Sequence, residues 1–340
     1  MSINTDSKAI SPPGFDPSVQ TENIAFDRAE MINCSRCTRA NPPNRFKCIY
    51  CGDNLERPSQ NAAAIDTAPR KLEPWERGVN IILHRASDAA DTAQAAILLS
   101  LEREDIVRIV RVAKPLPIAR VESRTEADSA ISRLRSLGFE SFSVSDDILA
   151  LETPNIRISG IEFVPGEFGV KNFNSGEYKR FPTYKISLIV EGVISKTKVE
   201  SVEKRRIRGE SKVIDQTSIA MDDRVLDIYP SDQTVGFRLS PTGFDFSCLG
   251  DQKSLLAREN WGRLIDLLKA RLPSVEFVSD YTKIREALES AWPIETRSET
   301  KGMIQTGFGK REFGIVATTS NLEQFNKYSR LQRYLYETKR

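Results

Sequence analysis

The sequence predicts a multi-domain α+β protein. In it a small cysteine-rich module, a mixed helix–strand domain and a mainly antiparallel β domain closed by a C-terminal helix follow one another. Three observations carry this. Four of the five cysteines fall between residues 34 and 51. Over 77–147 the apolar residues switch between strand and helix spacing. From 148 onward strand-like alternation dominates, up to one strong amphipathic helix at roughly 254–272. A length of 340 residues accommodates two or three such units.

Residues 1–30 are rich in Ser, Pro and Asp without apolar periodicity and read as a disordered arm. The cysteine module occupies 31–56, and 57–76, with small residues and prolines, reads as a linker. In the 77–147 domain, VNIILHR is an apolar run of strand length. Ser87-Asp88 is placed to cap a helix reaching Leu99, and 102–112 sets Ile106, Ile109 and Val110 on one helical face. Pro115 and Pro117 end that helix, and Leu116–Val121 reads as a strand. Ser123-Arg-Thr-Glu126 has capping-box spacing ahead of a helix that ends at Gly138, and FESFSV closes the domain as a strand.

Over 148–275 six segments alternate as strands: NIRISGIEFV, YKISLIVEGV, ISKTKVESV, RVLDIY, VGFRLS and FDFSCL. Turn-like PGEFG, NSGE, PSDQ and SPTG punctuate them. Trp261, Leu264, Ile265, Leu268 and Leu272 then make the apolar stripe of the closing helix, which Pro273 stops. The extension at 276–340 holds a helix in IREALESAW, a strand in EFGIVATTS and a basic helix from Glu323. That last helix is striped with Phe325, Tyr328, Leu331, Tyr334 and Leu335 and is expected to dock on the body of the protein.

Cys34-Ser-Arg-Cys37 and Cys48-Ile-Tyr-Cys51 form C-x2-C-x10-C-x2-C. Each knuckle offers two thiolates, and four make a closed tetrahedral site for one structural zinc. Iron of the rubredoxin type uses the same ligands. Two disulfides would need an oxidising compartment, and a redox C-x-x-C would stand alone beside a βαβ unit. The segment has almost no apolar core, so the metal would supply most of its folding free energy. Gly52 stands where a knuckle uses positive φ.

The module resembles short bacterial zinc ribbons and the Ran-binding-protein-type zinc finger, W-x-C-x(2–4)-C-x3-N-x6-C-x2-C. Cys37, Asn41 and Cys48 match its spacing, and Ile32 stands in place of the tryptophan. Thr38-Arg39 replaces the Thr-Phe of the ubiquitin-binding version. Arg36, Arg39, Arg45 and Lys47, interleaved with Phe46 and Tyr50, have the basic-plus-aromatic composition of a single-strand binder or a partner-contact surface. The strand–helix–helix–strand–helix–strand order of 77–147 resembles the C-terminal domain of the ribosomal stalk protein, a fold shared with the adaptor of the Clp protease. Leu99-Ser-Leu101, Ile109-Val110, Ala113-Lys-Pro115, Glu126-Ala127 and Gly138 carry that likeness. Residues 148–272 resemble a pleckstrin-homology-like domain through the strand around Arg180-Phe-Pro-Thr-Tyr184-Lys-Ile186.

The net charge of +2 excludes a bulk polyanion binder and points to local patches. Lys196, Lys198, Lys204, Arg205, Arg206 and Arg208 form one such patch, open to an anionic partner. Interspersed Glu200, Glu203 and Glu210 favour a solvated hairpin tip and weigh against anionic-lipid contact. Asp222-Asp223 reads as a turn leading into a strand that carries Asp227. Cys248 reads as a core thiol, and Gly307-Phe-Gly309-Lys310 lacks a phosphate-loop pattern. The single histidine, His84, ends an apolar strand with no nucleophile motif around it, so no catalytic residue is assigned. No apolar run approaches a membrane span, and the N-terminal segment has no basic-then-apolar order of a secretory signal.

The expectation is a cytoplasmic, zinc-binding, non-catalytic adaptor or regulator acting through protein partners. The second reading is a factor that binds single-stranded RNA or DNA through the cysteine module. The third is an enzyme with an unrecognised site in the β domain.

Overall fold

The structure, a computed structural model, describes residues 31–339 apart from 43–44, 46, 54, 56–69, 71, 74–75, 207–211, 232 and 308–309. The expected arm at 1–30 and most of the expected linker at 57–76 lie outside the described residues. The fold is mixed α and β, with mainly antiparallel sheets, and divides into two compact units at Thr67/Ala68. The first unit holds the cysteine module, whose short strands β1 (Ile32–Asn33) and β2 (Ala40–Asn41) pair antiparallel.

The second unit begins with β3 (Val79–Ala86), α1 (Thr92–Leu99), α2 (Arg103–Val112), β4 (Leu116–Val121), α3 (Arg124–Ser136) and β5 (Phe139–Ser145), the order read from the sequence. The three strands form one antiparallel sheet, β4-β3-β5. Being central, β3 buries both faces at Ile81 and Ile82, which explains its continuous apolar run. The first helix starts later than its expected cap. Asp91, not Ser87-Asp88, accepts from the N–H groups of Ala93 and Gln94 at 3.1 and 3.0 Å. The chain at Ser87 is instead tied back to Gly138 through its own N–H. At α3 the Ser123 hydroxyl caps the Glu126 N–H as expected, while the Glu126 carboxylate takes the Glu122 N–H one residue before the box position.

The β region departs further from expectation. The strands are β6 (Ile156–Val164), β7 (Glu167–Asn172), β8 (Tyr178–Pro182), β9 (Ile186–Arg206), β10 (Lys212–Pro230) and β11 (Phe237–Leu239). The PGEFG punctuation is a turn only at Pro165-Gly166; Glu167-Phe168-Gly169 opens β7 and buries Phe168. The segment resembling a pleckstrin-homology strand is interrupted by a 3-10 turn at Thr183–Lys185. YKISLIVEGV and ISKTKVESV belong to one 21-residue strand, β9. Asp222-Asp223 is no turn but the exposed middle of β10, paired with Ser195 and Ile194. FDFSCL is no strand: Phe246–Gln252 is a 3-10 turn, started by the Asp245 side chain on the Ser247 N–H. The alternate phenylalanines are still buried, ring against ring.

The closing helix is α4 (Ala257–Arg271), whose Trp261, Leu264 and Leu268 fill a core with Ile158, Phe168, Ile189 and Leu226. Then follow β12 (Glu276–Val278), α5 (Tyr281–Leu288), β13 (Glu295–Gly307), β14 (Lys310–Ser320) and α6 (Leu322–Thr338). No strand was expected at β13. The large sheet runs β13-β14-β9-β10-β11-β6-β7-β8, and β12 joins β9 in parallel. A second core is shared by the 79–149 elements, by β9 and β10, and by Tyr281, Trp292, Phe325, Tyr328 and Leu331.

The basic helix α6 docks by its apolar stripe, as expected, but its cations go inside with it. Lys327, Arg330 and Arg333 are all at least nine-tenths buried. Arg330 is held by the Thr153 and Thr234 carbonyls, and Arg333 by the Thr234 carbonyl. Two devices seat the helix. Asn321 inserts its amide into β9, accepting from the Ser195 N–H at 2.8 Å and donating to the Val193 carbonyl at 3.0 Å. Phe325 lies over Gly192, where an added Cβ would sit 2.3 Å from the ring. Beside them Asp227, fully buried, accepts from Nε and Nη2 of Arg238 at 2.6 Å each and from the Ser329 hydroxyl at 2.7 Å.

Removing Asp227 leaves Arg238 without its counter-charge. Asp227→Ala is expected to lower unfolding stability by roughly 3–5 kcal/mol in urea titration. The exposed Asp222→Ala should stay within about 0.5 kcal/mol. Gly192→Ala should destabilise by about 1–3 kcal/mol through overpacking against Phe325, read by the same titration.

Candidate metal centre

The two C-x-x-C segments fold into the same turn twice. In the first, the Cys34 carbonyl accepts from the Thr38 N–H at 2.8 Å and the Cys34 N–H donates to the Arg39 carbonyl at 3.0 Å. In the second, the Cys48 carbonyl accepts from the Gly52 N–H at 2.9 Å and the Cys48 N–H donates to the Asp53 carbonyl at 2.8 Å. Both turns need positive φ at the fifth residue, supplied by Thr38 at 60° and Gly52 at 74°. Gly52 was legible as such a position; Thr38 was not, because a β-branched residue rarely adopts that backbone.

The turns aim four sulfurs at one point. Cys34 and Cys51 approach to 3.6 Å, Cys37 and Cys48 to 3.4 Å, and all four sulfurs lie within 4.8 Å of one another. None is in a disulfide, and the spacing is far beyond an S–S bond. Four sulfurs at about 2.3 Å from a common ion lie roughly 3.8 Å apart in a tetrahedron, so the set fits a metal of zinc type. The thiols do not share their protons evenly. Burial works against the Cys48 thiolate, but the Tyr50 and Cys51 N–H groups, with Cys37 and Asn41, bring it down to about 6. Cys51 is pushed the other way, to about 12: the Asp53 N–H favours its thiolate, but burial and the three other sulfurs outweigh it.

Around the sulfurs stands a minimal shell. Cys34 and Cys48 are buried with Leu55, and Ile32 packs against them at the position where the resembled finger has tryptophan. Asn41, the other position of that pattern, is fully buried and bridges the two halves. Its amide donates to the Arg39 carbonyl at 2.8 Å and its oxygen accepts from the Ile49 N–H at 2.9 Å. Leu55 was missed; a lone apolar residue four places beyond Cys51 was its one sequence signal.

The basic residues of the module are on its outside. Arg36, Arg39, Arg45, Lys47 and Tyr50 are exposed, with the Arg39 guanidinium 4.8 Å from the Tyr50 ring centre. Phe46 lies outside the described residues.

In the second patch, Lys196 is exposed, while Lys198 pairs with Glu200 at 2.7 Å and Lys301 with the same carboxylate at 2.9 Å. These two cations hold Glu200 down to about 2. The expected two-stranded hairpin is wider, because β14 pairs along the other edge of β9. Lys204, Arg205 and Arg206 stand in that paired stretch opposite Glu312, Arg311 and Lys310, and Arg208 lies outside the described residues.

His84 is exposed at the end of β3. Cys248 is only partly buried, yet burial pushes its thiol up to about 11, away from the reactive form. The phosphate-loop candidate at 307–310 has its central residues, 308–309, outside the described residues. No helix is long and apolar enough to cross a membrane among the described residues. Compared with protein-family models, with curated proteins and with solved structures, the chain gives no match.

Asn41→Ala removes the bridge between the turns without touching a sulfur. It is expected to weaken metal binding about 10-fold, a typical loss for a supporting group, measured by competition with a chromophoric chelator.

Proposed function

We propose that the chain is a zinc-binding, non-catalytic adaptor or regulator that works through protein–protein contact, with the cysteine module as one docking unit. The observation that carries this is the convergence of Cys34, Cys37, Cys48 and Cys51. A closed set of four sulfurs leaves no open coordination position, so the ion would hold the module together rather than activate water. With a core of one leucine and the cysteines themselves, the module depends on its metal for folding. The element order and central strand of 77–147 support the likeness to the stalk-protein and Clp-adaptor fold, whose small domains serve as docking units. The single histidine being exposed and the one remaining thiol being held protonated speak for binding over catalysis.

A second reading rests on the exposed cations and the Arg39–Tyr50 pair. A ring carrying a guanidinium is a surface on which an unpaired base stacks, and four cations would give modest, salt-dependent binding to single strands.

Metal analysis of the purified full chain is expected to find about one zinc per molecule, lost in the Cys34→Ser/Cys48→Ser double variant. Retained metal in that variant, or iron in place of zinc, overturns the assignment. Affinity capture with the full chain and with residues 57–340, with and without nuclease, separates the two functions. The adaptor reading expects module-dependent partners that survive nuclease. Partners lost on nuclease treatment, with a gel shift of single-stranded RNA that fades with salt, establish the second.

A further inference from the structure

Strand β10 has one edge left open over much of its length. Its inner edge is paired with β9 throughout, but β11 covers the other edge only from Leu226 to Ile228. From Gln216 to Val225 no strand adjoins that outer edge among the described residues. Every residue from Gln216 to Arg224 is exposed. Every second residue of such a strand turns its N–H and C=O outward, a row of donors and acceptors ready for another strand.

Elsewhere the large sheet guards its edges. β13 carries a charge at every second position from Glu295 to Lys301 and shifts register between Thr300 and Gly302. β8 is five residues long, holds Lys179 and Arg180 and ends on Pro182. Charge, irregular register, short length and proline are the devices that keep a foreign strand off. Gln216-Thr-Ser-Ile-Ala-Met221 has none of them. It is uncharged and free of proline and glycine, and the register shift of β10 falls earlier, between Val213 and Asp215. Ile219 and Met221, 51 % and 50 % exposed, stand on the same face of the strand. An edge of this kind invites pairing unless a partner already occupies it.

We propose that the partner is a second copy of this chain, with β10 lying antiparallel to β10 about a two-fold axis through Ala220. An axis normal to the sheet keeps each side chain on its own face, so residues of like parity stand opposite one another. The strand is complementary to itself in this register. Ile219 of each copy faces Met221 of the other, which makes two apolar pairs. The Ser218 and Thr217 hydroxyls face the Asp222 and Asp223 carboxylates, and the Gln216 amide faces Arg224. No like charges meet. One step either way loses this match. Ile219 opposite itself sets Met221 against Thr217, and Met221 opposite itself sets Ile219 against Asp223. The two-fold pair is also closed, whereas β10 on β13 of the next copy would continue as a fibre. One continuous sheet then crosses both copies through residues 216–224 of each, an interface below standard size.

Sedimentation velocity of the full chain is expected to show a reversible monomer–dimer equilibrium, with a Kd of about 1–100 µM as suits so small an interface. Ile219→Lys is expected to weaken it about 10-fold, since two cross-strand pairs are lost at once, and Met221→Glu likewise. The double variant Ile219→Lys/Met221→Glu should dimerise again, now in a salt-sensitive way, because the new lysine of each copy faces the new glutamate of the other. Thr300→Lys, on the exposed β13 edge, should leave the equilibrium unchanged. If a single variant fails to fold, hydrogen exchange of the wild type decides: amides within 216–224 must slow as concentration rises through the dimer range. A chain still monomeric at about 500 µM, a dimer indifferent to Ile219→Lys or lost in Thr300→Lys, no recovery in the double variant, or polymers in place of dimers overturns the proposal.

Discussion

The second unit is organised by the need to satisfy both edges of one strand. At 21 residues β9 runs well past the core, and each of its backbone N–H and C=O groups needs a partner or water. On one edge β10 pairs with it from end to end. On the other, β12 covers residues 188–190, the Asn321 side chain bonds Val193 and Ser195, and β14 takes over from Lys196 to Arg206. Asn321 thus fills the gap where β14 turns away into α6. The position of that helix, and with it the buried contacts of Phe325, Tyr328 and Leu331, follows from this handover.

What α6 brings inward is charge as well as apolar surface. Arg330 and Arg333 end on carbonyls, Ser329 donates its hydroxyl to Asp227 at 2.7 Å, and Tyr328 donates its hydroxyl to Asp280 at 2.5 Å. Such contacts are directional, so they define one seating of the helix among the many that an apolar stripe alone would permit. Lys327 is the exception, and it lines a cleft with Arg120 and several carboxylates.

The sequence revealed elements wherever burial was one-sided or complete. The strand at 79–86, the strand at 116–121 and the helices α2, α4 and α6 follow their apolar patterns closely. The long strands were harder for a physical reason. From Gln216 to Arg224 every residue of β10 is exposed, so no face of it is apolar and no alternation marks it. The stretch containing Asp222-Asp223 then looks like a turn, and β13, equally polar, is not seen at all. FDFSCL failed in the opposite sense: its alternate phenylalanines are buried, but on a 3-10 turn. The four metal ligands were legible because their spacing is local. The approach of buried Lys327 to Arg120 was not, since the two are separated by some 200 residues and meet only through the fold.

The pairing of β9 with β14 also sets an order in time. More than a hundred residues separate the partners, and β14 emerges from synthesis after everything it completes. Until then β9 has an open edge beyond residue 190, a template on which another chain could add a strand. Contacts of such separation form slowly because the intervening loop must be closed first. The C-terminal 50 residues therefore act as a folding clasp. A chain cut short before β14 would carry most of its core and yet expose the edge that makes nascent β proteins aggregate.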